Sequence, residues 1–101
     1  MEIARQKLDE ITSFIEEESN TLQEANNVER EAIYVAMPYW LFQLFCSYFR
    51  SICSHSIKEE DSNIFFFGYK VQFHFKNEVV VFYRDFYRNS ELFEPKIYTI
   101  N

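Results

Sequence analysis

From Glu2 to Asn26 the apolar residues Ala4, Leu8, Ile11, Ile15, Leu22 and Ala25 recur at three- and four-residue steps, interrupted once, at Glu18. That spacing predicts a helix with one narrow apolar stripe. Asn26-Asn27 predicts its end, because asparagine tolerates the left-handed conformation that closes helices. The stripe serves a helix lying on its own domain, or the alternative of two chains pairing through Leu8, Ile15 and Leu22. Ala32 to Met37 (AIYVAM) has β-branched and aromatic members, which suit a buried strand or the lead-in to a helix. Pro38 fits the first turn of a helix. Leu41, Phe42, Phe45, Phe49, Ile52 and Cys53, widened by Trp40, Leu44 and Tyr48, predict that helix from Tyr39 to about Ser54, buried on most sides.

Ser54 to Asn63 (SHSIKEEDSN) reads as a polar loop, and the period then changes from helical to alternating. Ile64 to Phe67 predicts a strand, and Gly68, the only glycine, marks a bulge or sharp bend. Tyr69, Val71, Phe73 and Phe75 alternate with Lys70, Gln72, His74 and Lys76, which predicts a half-buried strand. Lys76-Asn77-Glu78 is a tight turn, and Val79 to about Tyr87 a returning strand covered on both faces. After Asn89-Ser90 and Pro95, Lys96 to Ile100 alternates as a short last strand. The fold class expected is α+β, with two helices packed on one face of a three- to four-stranded antiparallel sheet. The 101 residues form a single domain.

Charge divides that domain. Residues 1–31 hold nine acids and three bases, whereas residues 32–101 hold seven of each, so the whole formal charge of −6 belongs to the first segment. Of the 20 aromatics only Phe14 precedes Tyr34. An acidic amphipathic helix (1–31) is thus joined to a neutral, aromatic-rich body (32–101). Neither part has the basic stripe that phosphate neutralisation needs, which disfavours direct nucleic-acid binding, a Tyr/Phe sheet that stacks single-stranded bases included. The start, MEIARQKLDE, lacks the basic and apolar regions of a signal peptide. No run of about 18 apolar residues reads as a membrane span. Cys46 and Cys53, seven residues apart on one helix, stand about 10.5 Å apart along its axis, too far for a disulfide. Reduced thiols and a cytoplasmic location are expected.

Catalytic signals are sparse. One glycine rules out a phosphate-cradling loop, and no G-x-S-x-G, H-E-x-x-H or C-x-x-C occurs. Cys53-Ser54-His55, Cys46 and His74 offer thiol and imidazole, without the geometry of a nucleophile pair or the paired spacings of structural zinc. His74 reads as a solvent-facing strand residue. The chain is expected to be no enzyme and to carry no metal or cofactor.

Two surfaces remain. On a helical wheel Glu2, Asp9, Glu10, Glu16, Glu17 and Glu24 fall opposite the Leu8/Ile15/Leu22 seam, an acidic stripe suited to a basic groove. Its six carboxylates are fewer than the roughly 20 phosphates that a comparable length of duplex presents. The second surface is Tyr83, Arg84, Phe86, Tyr87, Arg88 and Phe93, the Tyr/Phe/Arg mixture of interaction hot spots. So large a share of aromatics cannot all be buried in a small domain.

A short acidic helix before an aromatic α+β body, without motif chemistry, resembles the small accessory proteins of bacteriophages, among them the anti-CRISPR inhibitors. The segment from Pro38 to Phe49 and on to the Gly68–Tyr83 hairpin also resembles one met in phage structural proteins. These resemblances carry over no individual residue. They imply a protein that acts by binding, in the host cytoplasm: an inhibitor on a basic, nucleic-acid-handling surface such as that of a CRISPR effector, or else a self-assembling structural component that homodimerises through its N-terminal helix.

Overall fold

The computed structural model describes residues 5–48, 57–60, 63–83 and 95–100. Its first helix, α1, runs Arg5–Asn26 and turns Leu8, Ile11, Ile15 and Leu22 inward. At 3.6 residues per turn the line through 8, 11 and 15 continues to 19, 22 and 26. Ser19 and Asn26 are therefore buried, Ala25 is exposed, and Glu18 lies half-buried at the edge of the stripe. The helix closes at the asparagines as predicted. Asn27 takes φ 52°, Asn26 Nδ2 donates to the Leu22 carbonyl at 2.8 Å, and the Val28 N–H donates to the Gln23 carbonyl at 3.2 Å. That last bond is the six-to-one link of a Schellman ending, whose apolar contact Val28 supplies by packing on the core.

A 3₁₀ turn at Arg30–Ala32 leads into strand β1, Ile33–Pro38. AIYVAM is thus a strand, and Pro38 is its buried last residue. Helix α2, Tyr39–Tyr48, follows at once and buries Leu41, Phe42 and Phe45; Tyr39, Gln43 and Ser47, one turn apart, are its exposed stripe. The expected continuation to Ser54 lies outside the described residues. Then come β2 (Ile57–Glu60), β3 (Asn63–Phe66), β4 (Tyr69–His74), β5 (Glu78–Tyr83) and β6 (Lys96–Thr99).

All strands share one sheet, in the order β2-β3-β4-β1-β5-β6. The β1–β4 pair is parallel and the others antiparallel. The α+β class holds, but the three- to four-stranded antiparallel sheet is corrected to a mixed sheet of six strands. Two causes account for the difference. Ile57–Glu60, expected as loop, pairs with β3 as an edge strand, and an edge tolerates the charged composition that conceals it. In addition β1 enters between β4 and β5, so that Val35 faces Val71 on one side and Val81 on the other. The Lys76-Asn77-Glu78 turn therefore does not close a paired hairpin; residues 75–77 cross the end of β1 instead. With strands about 4.8 Å apart, the crossing covers about 10 Å, within reach of four Cα steps of up to about 3.6 Å each.

Register places Ile33, Val35 and Met37 on the same face as Tyr69, Val71 and Phe73, with Ile64, Phe66, Val79, Val81 and Tyr98 extending the rows. Both helices cover that face, as expected. Phe45 meets Phe66 at 5.3 Å between ring centroids and Phe42 meets Phe73 at 5.2 Å, while α1 brings Phe14 within 5.4 Å of Tyr98. Each fully buried aliphatic side chain here contributes about 1.5–3 kcal/mol. The opposite face is more open than the continuous apolar run of β5 predicts. Val80 and Phe82 are only half-buried there, and Phe82 stacks on Tyr34 at 5.3 Å. Gly68 marks a bend, as expected: Phe67 and Gly68 form the two-residue β3–β4 turn with φ 52° and 89°, both positive as a type I′ hairpin turn requires.

Candidate functional site

The sheet occupies the inner stripe of α1. Leu8, Ile15 and Leu22 are 4%, 1% and 6% exposed, so pairing two chains through this seam would first require α1 to leave its own domain. The outer side of α1 is what solvent meets. Asp9, Glu10, Glu16, Glu17 and Glu24 are all exposed on it, on the arc opposite the seam, where the helical wheel puts them. Glu2 lies outside the described residues, as do Arg84, Phe86, Tyr87, Arg88 and Phe93. Tyr83 is half-buried and packs against the core beside Ile33, which gives its ring a packing role.

Two hydroxyls fasten this helix laterally. Tyr48 of α2 donates to Asp9 Oδ1 at 2.9 Å, and Tyr98 of β6 donates to Glu10 Oε2 at 3.1 Å. The two cations of α1 lie over those same rings: the Arg5 guanidinium is 4.7 Å from the Tyr48 centroid and Lys7 Nζ is 5.2 Å from that of Tyr98. Lys7 and Glu10 form the one ion pair among the described residues, at 3.8 Å, with the Glu10 side chain exposed and that of Lys7 partly so. A hydrogen bond to Tyr98 holds the Lys7 ammonium above its ordinary range against the opposing cost of desolvation, with Tyr98's charge and then Glu10 adding to the effect. Glu16, Glu17 and Glu24 have no cationic partner among the described residues. Their field is screened only by solvent and salt.

Cys53 and His55 lie outside the described residues, and Cys46 is half-buried against the core. Among the described residues no group of three or more His, Cys, Asp or Glu side chains is placed to hold a metal ion. His74 is half-buried rather than solvent-facing, because its strand neighbour is Pro38 and the chain turns back over it. Its Nδ1 accepts from the Lys76 amide at 3.1 Å, and its Nε2 is buried without a partner.

Sequence reasoning required some aromatics to be visible and offered Tyr83, Phe86, Tyr87 and Phe93; of these Tyr83 is half-buried and the others lie outside the described residues, and the exposed rings found are different ones. At the end of β1 an open cleft of about 230 Å³ is lined by Pro38, Tyr39, Trp40, Phe73, His74 and Phe75. Phe75 is fully exposed, Tyr39 55% and Phe73 40%. Alternation put Phe73 and Phe75 on the covered side, and the signal that they escape cover is the turn just after them, where the sheet ends. On the helix-free face Tyr34 stacks on Phe82 and lies 5.4 Å from Lys70 Nζ. That ring is already engaged, which does not favour a base-stacking role. Among the described residues no helix is long and apolar enough to cross a membrane. No family model, curated protein or solved structure matches the chain.

Proposed function

We propose that the chain is a non-catalytic binding protein that docks through the solvent face of α1 on a basic, nucleic-acid-handling surface of a larger protein, in the manner of a phage-type inhibitor such as an anti-CRISPR protein. The observation that supports this is the division of labour on α1. Its apolar stripe is covered by its own sheet, its cations lie over Tyr48 and Tyr98, and Glu16, Glu17 and Glu24 remain exposed and unpaired. Like charges held on a rigid helix raise the rate and selectivity of encounter with an oppositely charged surface.

The test compares the native chain with the Glu16→Lys/Glu17→Lys/Glu24→Lys variant by cross-linking capture from host-cell extract, with circular dichroism as the folding control. Native chain alone should recover basic nucleic-acid-handling proteins, with recovery falling as salt rises. Equal recovery by a folded charge-reversed variant overturns the proposal.

A further inference from the structure

Residues 75–77 carry the chain from β4 to β5 across the end of β1, and four Cα steps of up to about 3.6 Å each cover the roughly 10 Å of the crossing with slack to spare. Hydrogen bonds take up that slack. The Lys76 amide donates back to His74 Nδ1 at 3.1 Å, curling the chain as it leaves β4. Asn77 then meets two other elements: its Oδ1 accepts from Trp40 Nε1 of α2 at 3.2 Å, and its carbonyl accepts from the Ile100 amide just past β6 at 2.9 Å. The curl at His74 thus sets where Asn77 stands, and Asn77 ties the start of α2 to the end of β6.

The first of these bonds dictates the protonation state of His74. A ring nitrogen that accepts carries no proton, so the proton of the neutral ring sits on Nε2, which is buried without a partner. In the imidazolium both nitrogens donate, and Nδ1–H would confront the Lys76 N–H. Little around the ring would offset its charge. Pro38, Tyr39, Trp40, Phe73 and Phe75 share the cleft wall with it, and of these only the Tyr39 phenol is titratable. Lys70 precedes His74 on its face of β4 and Lys76 follows it; the register continues to Glu78 of β5 across Pro38, and Lys58 and Glu60 of β2 stand two strands away. Among the described residues no carboxylate forms an ion pair with the imidazole.

We infer that His74 is a proton-sensitive latch on the aromatic cleft at the end of β1. Neutral, it holds the 75–77 crossing curled, with Trp40 pinned to Asn77. Imidazole is the side chain that ordinarily changes charge between about pH 8 and pH 5. The added proton goes to Nδ1, the bond from Lys76 breaks, and the crossing relaxes so that Asn77 lets go of Trp40 and Ile100. Acid thereby changes the shape of the apolar surface that Tyr39, Trp40, Phe73 and Phe75 present, while α1 and the body of the sheet stay in place.

Trp40 is the only tryptophan of the chain, so its fluorescence reads the latch directly. Titration of the full chain from about pH 8 to about pH 5, a window in which carboxylates generally stay ionised, should shift the emission in a single transition while far-UV circular dichroism holds constant. Over the same window the Ile100 amide should lose about tenfold of its protection from hydrogen exchange. His74→Asn keeps an acceptor for the amide two residues on and cannot titrate; its emission should match that of the native chain at the alkaline end throughout. His55→Asn, at the other histidine, should leave the transition intact. A transition that survives His74→Asn or vanishes with His55→Asn overturns the latch, as does native emission that ignores pH. Nitrogen NMR of the native ring needs no variant: at the alkaline end His74 should carry its proton on Nε2, and a proton on Nδ1 overturns the latch too.

Discussion

The side chain of Arg30 lies against Gly68 so closely that a Cβ at position 68 would come within 2.8 Å of Arg30 Cδ. The same arginine donates from Nη1 to the Phe67 carbonyl at 3.1 Å and lies 5.0 Å from the Tyr69 ring centroid. One side chain from the 3₁₀ turn thus clasps the β3–β4 turn, where Phe67 carries the positive φ that bulky residues avoid.

Gly68→Ala should therefore destabilise the chain. The left-handed backbone alone costs about 1–2 kcal/mol for a residue with a Cβ, and displacement of Arg30 adds to it. A melting midpoint lower by about 4–8 °C per kcal/mol is expected. In a double-mutant cycle with Arg30→Ala, the second substitution should cost less in the Gly68→Ala background than in the native one; strict additivity would show that the two residues do not interact.

Ser19 is buried in the α1 stripe with a hydroxyl that meets no hydrogen-bonding partner. Ser19→Ala removes that orphaned group and improves helix propensity, so chemical denaturation should show a gain of about 1 kcal/mol. A loss would mean that the hydroxyl is satisfied in solution.

Ile15 and Phe75 form a contrasting pair. Ile15→Ala opens the core and should cost about 2–5 kcal/mol. Phe75→Ser, at a fully exposed position, should stay within about 0.5 kcal/mol while raising solubility. Because the stripe of α1 packs within its own chain, the native melting midpoint should not change over a hundredfold or so range of protein concentration.

Lys7 titrates above its ordinary value of 10.5 through Tyr98, with Glu10 contributing. A cation whose folded pKa is raised stabilises the fold fully below the unfolded value and stops doing so as pH rises through the folded one. Any contribution of this contact is thus present at neutral pH and lost only in strong alkali. Tyr98→Phe should return the Lys7 side-chain titration, followed by NMR, toward its ordinary position; an unmoved titration would remove Tyr98 as the cause.

Local signals were legible where one residue answers to one constraint. The stripe at Leu8, Ile11 and Ile15, the asparagine stop at Asn27 and the bend at Gly68 all lie where spacing and φ preference put them. Pairing was not legible. Lys76-Asn77-Glu78 looks like a hairpin turn because a chain reversal has the same local chemistry whether or not a third strand fills the gap. The IKEE edge strand was hidden because an edge needs no apolar side chains. The acidic face of α1 was readable from the wheel, but the hydroxyls that fasten Asp9 and Glu10 come from Tyr48 and Tyr98, which lie far along the chain.

The insertion of β1 between β4 and β5 also orders events during synthesis. As the chain leaves the ribosome, α1 and β1 emerge long before either neighbour of β1 exists. The inner stripe of α1 has no complete surface to lie on until Val79 and Val81 follow. Through most of translation Leu8, Ile11 and Ile15 are exposed apolar positions on an otherwise acidic helix, the kind of segment chaperones hold and nascent chains misassociate through. The dense negative charge on the other side of that helix keeps such early chains apart by mutual repulsion.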